Sequence, residues 1–142
     1  MVVLDNLSNS SYTAISRIES ITGVKIPFYK IDIRNFDSIN DIMDKHRIDS
    51  CIHFAGLKAV GESFIKPWEY YENNITAILV LIDALRKYGC KNIIFSSSAT
   101  VYGNPEMIPI TEDCKRGICT NPYGWMKWMI EQMLFDLYKS DK

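Results

Sequence analysis

The sequence predicts an α/β fold: a parallel sheet of the doubly wound kind, with helices on both faces. Two observations predict it. Short apolar runs alternate with segments of helical periodicity, strand then helix, four times along the 142-residue chain. That alternation is the mark of parallel strands joined by crossover helices. Each run also closes on polar or small residues: Asp5, Asp32, Gly56, and Ser96 to Ser98. These positions fall at the carboxyl ends of strands, the edge where open parallel sheets bind ligands.

Met1 to Leu4 is apolar and runs into Asp5, which predicts a short buried strand. A polar loop, Ser8 to Ser11, leads to a helix over Thr13 to Thr22, with Ile15, Ile18 and Ile21 on one side and Gly23 just past its end. Phe28 to Ile33 reads as the second strand, and Asp37 as the cap of a helix through His46 that buries Ile39, Ile42 and Met43. Asp49 to Gly56 reads as the third strand, with His53 a packed strand residue rather than a catalytic one. Leu57 to Lys66 is a loop or short helix. Pro67 then opens a helix that Gly89 stops, and Asn92 to Ser96 is the fourth strand. Residues 103–121 form a long irregular stretch, and loops of that length are often functional.

Asn121 and Pro122 open the last helix, a favoured N-cap followed by a proline at the first helical position. Met126, Met129, Ile130, Met133, Leu134 and Leu137 recur after them at helical spacing. Tyr123 and Lys127 lie four apart, hence one turn apart on one face. An ammonium beside a phenol favours the phenolate, so Tyr123 is a candidate base near neutral pH, with the Ser98 hydroxyl a candidate to hold the substrate oxygen and pass a proton. The pair also has a plain reading, since any long helix can carry Tyr and Lys at this spacing.

Composition narrows the function classes. The formal net charge of −1 gives no electrostatic case for nucleic acid or an anionic membrane. No apolar run is long enough to span a bilayer, and the first residues lack the pattern of a secretory signal. Cys51, Cys90, Cys114 and Cys119 are scattered, without the paired spacing or nearby histidine of a metal site. The expectation is reduced thiols in a cytoplasmic protein that holds no metal.

Six segments together carry a resemblance. They are Leu4-Asp5-Asn6-Leu7, Asp32-Ile33-Arg34, His53 through Ser63, Tyr70-Tyr71-Glu72-Asn73-Asn74, Ser96 through Gly103 and Asn121-Pro122-Tyr123-Gly124. In order and spacing the chain resembles the extended short-chain dehydrogenase/reductase family, whose nucleotide-binding domain is a Rossmann-type sheet. Members that eliminate water from the sugar place an Asp-Glu pair after the first serines, where this chain has Ala99-Thr100. Gly56-Leu57-Lys58-Ala59-Val60-Gly61 also looks like the form found in the sugar-nucleotide 4-epimerase branch.

The resemblance implies NAD as cofactor, lying across the strand ends. Asp5 and Asn6 would meet the adenosine ribose, with the Asp5 carboxylate favouring NAD over NADP, and Asp32 and Ile33 would flank the adenine. Phe54, Ala55, Gly56 and Lys58 would line the phosphate and ribose path, Gly56 allowing close backbone approach. Asn73 and Ser96 would complete the cofactor site, and Tyr123 and Lys127 would hold the nicotinamide ribose. The implied substrate is a UDP-sugar, contacted by Lys58, Ser98 and Tyr123, with Ser98, Tyr123 and Lys127 catalytic. Tyr123 would take the proton of the sugar 4-hydroxyl as the 4-hydride leaves, and the 4-keto sugar would then receive hydride on its other face. A homodimer through the helices starting at Pro67 and Pro122 is also implied. Trp128, placed away from the active face, is either part of a partner surface or a single exposed aromatic.

Two parts of the family pattern have no match here. None of the seven glycines forms the Gly-x-x-Gly-x-x-Gly turn that binds the pyrophosphate, and the region that reads the nucleotide sugar would lie past Lys142. The expectation is therefore an incomplete Rossmann domain over 1–142, without the first strand and helix, whose central strand would sit between those at Val2 and Ile52. Other readings stay open: epimerisation of another UDP-sugar such as UDP-N-acetylglucosamine, or a non-catalytic nucleotide-binding or dimerisation module.

Overall fold

The computed structural model describes residues 1–140. The order is β1 (Val3–Asp5), α1 (Thr13–Thr22), β2 (Phe28–Lys30), α2 (Phe36–Lys45), β3 (Ser50–His53), α3 (Val60–Ile65), α4 (Pro67–Lys87), β4 (Asn92–Phe95) and α5 (Pro122–Ser140), with a 3₁₀ turn at Ala99–Tyr102 before α5. All strand pairing is parallel, but among the described residues it forms two separate sheets, β1–β2 and β3–β4. Val3 pairs with Phe28 and Asp5 with Lys30, while Ser50 pairs with Asn92 and His53 with Phe95.

Most elements match the expected order, with local corrections. The second strand stops at Lys30, because the chain turns over Asp32, whose carbonyl accepts the Asn35 N–H at 2.9 Å. Asn35, and not Asp37, caps α2, its side chain accepting the Ser38 N–H at 3.0 Å. The third strand ends at His53, short of Gly56. The fourth ends at Phe95, although the Ser96 N–H still reaches the His53 carbonyl at 3.1 Å. In α1 the expected isoleucine face is not buried as a unit: Ile15 is, while Ile18 is 41% and Ile21 85% exposed. Gly23 closes α1 in the left-handed conformation, its N–H on the Glu19 carbonyl at 2.8 Å.

The core is gathered on the long helices. Tyr70, Ile78, Leu81, Ile82 and Leu85 of α4 meet Met126 and Ile130 of α5, and Ile39 and Met43 of α2 complete the cluster. Pro67 stands in the first turn of α4, where its missing N–H costs no bond. No helix among the described residues is long and apolar enough to cross a membrane. Trp128 is half-buried, its ring edge-on to Trp125 at 5.9 Å, so it is not a bare surface aromatic.

Candidate active site

The start of α5 is fixed by two bonds to its otherwise unpaired N–H groups. The Asn121 side chain accepts the Gly124 N–H at 2.7 Å, and the Ser63 hydroxyl, fully buried on α3, accepts the Tyr123 N–H at 3.3 Å. Tyr123 and Lys127 are thereby presented as one buried face. The Lys127 ammonium donates to the Ser96 carbonyl at 2.6 Å and stands 4.5 Å from the centre of the Phe95 ring and 5.6 Å from that of Tyr123.

Ser98 follows β4 with extended backbone and caps the 3₁₀ turn. Its oxygen accepts the Thr100 hydroxyl at 2.9 Å and the Thr100 N–H at 3.3 Å. That leaves the Ser98 proton free for a further partner, and Ser98 acts to lower the pKa of the Tyr123 phenol. Ser98, Tyr123, Lys127 and the Ser96 carbonyl therefore come together.

The electrostatics correct one expectation. Burial pushes the Tyr123 phenol above its ordinary value, and the Ser98 hydrogen bond only partly opposes it. The Lys127 ammonium is turned onto the Ser96 carbonyl and the Phe95 ring, and burial lowers its own pKa. His53, 5% exposed and stacked on Phe95 at 5.8 Å, is the packed strand residue expected. Burial first, and then the Lys127 charge, lower it to about 4.

A second group lies at the ends of β1 and β2. Asp5, Asn6, Asp32, Ile33, Ala55, Gly56 and Asn73 line one cleft. Asp5 Oδ1 accepts the Leu7 N–H at 2.7 Å and the Ser10 hydroxyl at 2.8 Å. Asp32 is gripped by Arg34, whose Nε and Nη2 donate to its two oxygens at 3.0 and 2.7 Å and whose backbone N–H donates at 2.9 Å, and Asn6 adds a fourth donor at 3.3 Å. These donors, Arg34 foremost, hold the Asp32 carboxyl well below the usual carboxylate range. Arg34 is held in turn by Glu72 at 2.6 Å. Phe54 and Lys58 are exposed and are not among the residues lining this cleft.

Gly56 has a reason the sequence did not suggest. Its φ is +142°, and a Cβ there would stand 2.9 Å from the Asn74 side-chain oxygen. Asn74 uses that oxygen for the Leu57 N–H and its amide for the Leu57 carbonyl, both at 2.8 Å. Glycine is thus required by the asparagine that shapes the turn. The chemistry of the cleft nonetheless fits a dinucleotide: a carboxylate acceptor at a strand end, an amide at Asn73, and a tight turn beside them.

Sequence reasoning passed over Ser63, Arg34, Asn74, Ser97 and Glu131. Glu131 carried a readable signal, since Tyr123, Lys127 and Glu131 are spaced by four and share a helix face. Ser63 carried none, because its partner is 60 residues away.

Residues 1–141 match the NAD dependent epimerase/dehydratase family. The UDP-glucose 4-epimerase of Pasteurella multocida is 56% identical over 140 residues, covering 99% of this chain and 41% of that protein. That of Bacillus subtilis is 52% identical over 141 residues, with 99% and 41% covered. Among solved structures, the UDP-glucose 4-epimerase of Bifidobacterium longum in complex with NAD+ and UDP superposes with a TM-score of 0.96 at 48% identity, over 99% of this chain and 42% of that one. The UDP-Glc/GlcNAc 4-epimerase of Campylobacter jejuni superposes at 0.89 and 32% identity, again over 99% and 42%. The chain thus spans about 41% of the length of the curated relatives it matches.

Proposed function

The chain belongs to the NAD dependent epimerase/dehydratase family, and on that premise we propose that its site serves UDP-glucose 4-epimerisation, the interconversion of UDP-glucose and UDP-galactose with NAD. The observation that carries the reading is the buried Tyr123–Lys127 face of α5, with Lys127 bonded to the Ser96 carbonyl at the carboxyl end of β4 and Ser98 two residues on. NAD, when bound, would supply the hydride acceptor and donor for the sugar C4. Asp5, Asn6, Asp32, Ile33, Ala55, Gly56 and Asn73 would hold it in their common cleft, with Ser96, Tyr123 and Lys127 at the reacting end. Phe54 and Lys58 are proposed as further contacts from the β3 end, Lys58 to the substrate as well.

Tyr123 removes the proton of the sugar 4-hydroxyl and later returns it. Ser98 donates to the phenol oxygen, which stabilises the phenolate as it forms. Lys127 keeps a fixed positive charge beside the Tyr123 ring. Tyr123→Phe tests the assignment: interconversion of UDP-glucose and UDP-galactose, followed by chromatography, should fall by about a hundredfold or more, while NAD affinity by calorimetry stays within a few-fold. Retained turnover in the variant refutes the role.

The proposed surroundings are a cytoplasmic enzyme that dimerises through α4 and α5. These helices pack on each other, and Leu79, Phe135 and Tyr138 on them remain 49, 46 and 72% exposed. Equilibrium sedimentation of wild type and Leu79→Glu tests the dimer, which the charge should weaken.

A further inference from the structure

Glu131 lies one turn beyond Lys127 on the face that carries Tyr123, and no step described above uses it. Both its carboxylate oxygens are engaged. Oε1 accepts the Ser97 hydroxyl, and Oε2 accepts Arg116 Nη1 at 3.0 Å. Ser97 is the middle residue of the three-serine stretch after β4, between the two residues that face Lys127 and Tyr123. The carbonyl of Ser96 holds Lys127, and Ser98 acts to lower the pKa of the Tyr123 phenol. Arg116 belongs to the 103–121 stretch, so the same carboxylate ties that loop to the end of β4. The glutamate side chain is 23% exposed, shielded enough for its bonds to define a geometry.

We propose that Glu131 is a positioning residue: by gripping Ser97 it fixes the three-serine stretch so that Ser98 faces Tyr123, and by gripping Arg116 it ties the 103–121 loop to that stretch. The proposal rests on the reading of Ser98 and Tyr123 as the reacting pair. Its physical content is that α5 carries both the proton-transfer group and the clamp for that group's partner. One rigid helix then sets both sides of the hydrogen bond.

The test is the titration midpoint of the Tyr123 phenol in the 142-residue chain, read by NMR of tyrosine labelled at Cζ, with Tyr123→Phe identifying the resonance. Among the described residues, Lys127 stands 5.6 Å from the centre of the Tyr123 ring and Tyr70 interacts electrostatically with the phenol, and both are unchanged in every variant. Removing the carboxylate charge alone would favour the phenolate and lower the midpoint. Loss of the Ser98 bond would raise it, so the two effects have opposite signs.

Glu131→Ala should raise the midpoint by about half a pH unit or more. Ser98→Ala should raise it too, and the double variant should go no higher than Ser98→Ala alone. Glu131→Gln, whose amide oxygen still accepts from Ser97, should not raise it. An unchanged or lowered midpoint in Glu131→Ala overturns the proposal. So do additive shifts in the double variant, or a rise in Glu131→Gln equal to that in Glu131→Ala. If Glu131→Ala loses its cooperative melting, Ser97→Ala cuts the same link from the other end and is judged by the same criteria. No nucleotide is present in these titrations. A chain with coupled shifts but no turnover keeps the positioning role and loses the epimerase reading, and the reverse result does the opposite.

Discussion

In α4 eight residues are buried, among them Tyr70 at 1% and Ile78 at 0% exposure, whereas none of the three residues of β1 is buried and α1 buries only Ile15. The α4–α5 half and the β1–α1–β2 unit hold their functional residues by different means. Tyr123 and Lys127 ride on the helix that shares the main core, so packing sets their geometry. Asp5 ends one strand of three residues and Asp32 lies two residues past another, and both are aimed by local polar bonds, from Leu7 and Ser10 to the one and from Arg34 and Asn6 to the other. The proposed proton-transfer group is therefore insulated from events at the sheet edges, and the proposed cofactor carboxylates are not.

The largest expected effect tests this contrast directly. Ile130→Ala empties a site that is 1% exposed and should cost about 2–5 kcal/mol in urea unfolding. Ile21→Ala, at a position 85% exposed on α1, should stay within about 0.5 kcal/mol. Equal losses would mean that α1 belongs to the core after all.

The next effect concerns pH. His53 is held neutral, its pKa lowered from 6.5 to about 4 by burial and the Lys127 charge. The unfolded chain therefore binds the extra proton first as pH falls. The stabilisation is complete above pH 6.5 and is lost as pH drops towards 4, amounting to a contribution on the order of 3 kcal/mol. His53→Leu should lose that part of the slope, seen as the difference between the two proteins' unfolding free energies across this window. A constant difference would show that His53 titrates normally.

Much of this was legible in the sequence, and the failures are instructive. The alternation of elements, the caps at Gly23 and Asn121 and the burial of Ile39, Ile42 and Met43 are local consequences of residue type and spacing. The strand ends already pointed to Asp5, Asp32 and Ser98, the resemblance added their roles, and seven of the residues it nominated meet in one cleft. What could not be read depends on distant partners. The Tyr123 phenol is raised because burial outweighs the Ser98 bond, and Lys127 is diverted by a carbonyl 31 residues away. Ile18 and Ile21 have helical spacing but no described surface to cover them, since periodicity gives a face and not its partner. The cap of α2 was misplaced by two residues because Asn35 and Asp37 are both good cap residues and only the turn over Asp32 chooses between them.

Gly56→Ala probes the cofactor cleft at smaller magnitude. The new methyl group would meet the Asn74 oxygen at 2.9 Å on a backbone with φ of +142°. Strain of about 1–3 kcal/mol is expected, released by shifting the Leu57 turn. NAD affinity should fall with it, while the Tyr123 titration should not move, because that group is set from the helix side. A shifted phenol midpoint in Gly56→Ala would break the separation of the two regions.

The smallest effect sharpens the comparison through two asparagine caps of the same chemistry. Asn35 is an exposed residue that caps the Ser38 N–H at 3.0 Å, and Asn121 is a buried one that caps the Gly124 N–H at 2.7 Å. When Asn35→Ala frees its N–H, water can replace the lost acceptor, so a cost near the low end of the cap range, about 0.5 kcal/mol, is expected. Around Gly124 there is no such room: a Cβ added there would lie 3.0 Å from the Thr100 carbonyl and 3.3 Å from the Cys119 side chain. Asn121→Ala therefore leaves a buried N–H without a partner and should cost nearer about 2 kcal/mol. Urea midpoints of the two variants read the ratio. Equal costs would mean that water reaches the start of α5, and the Tyr123 phenol would then lose the dryness that raises its pKa.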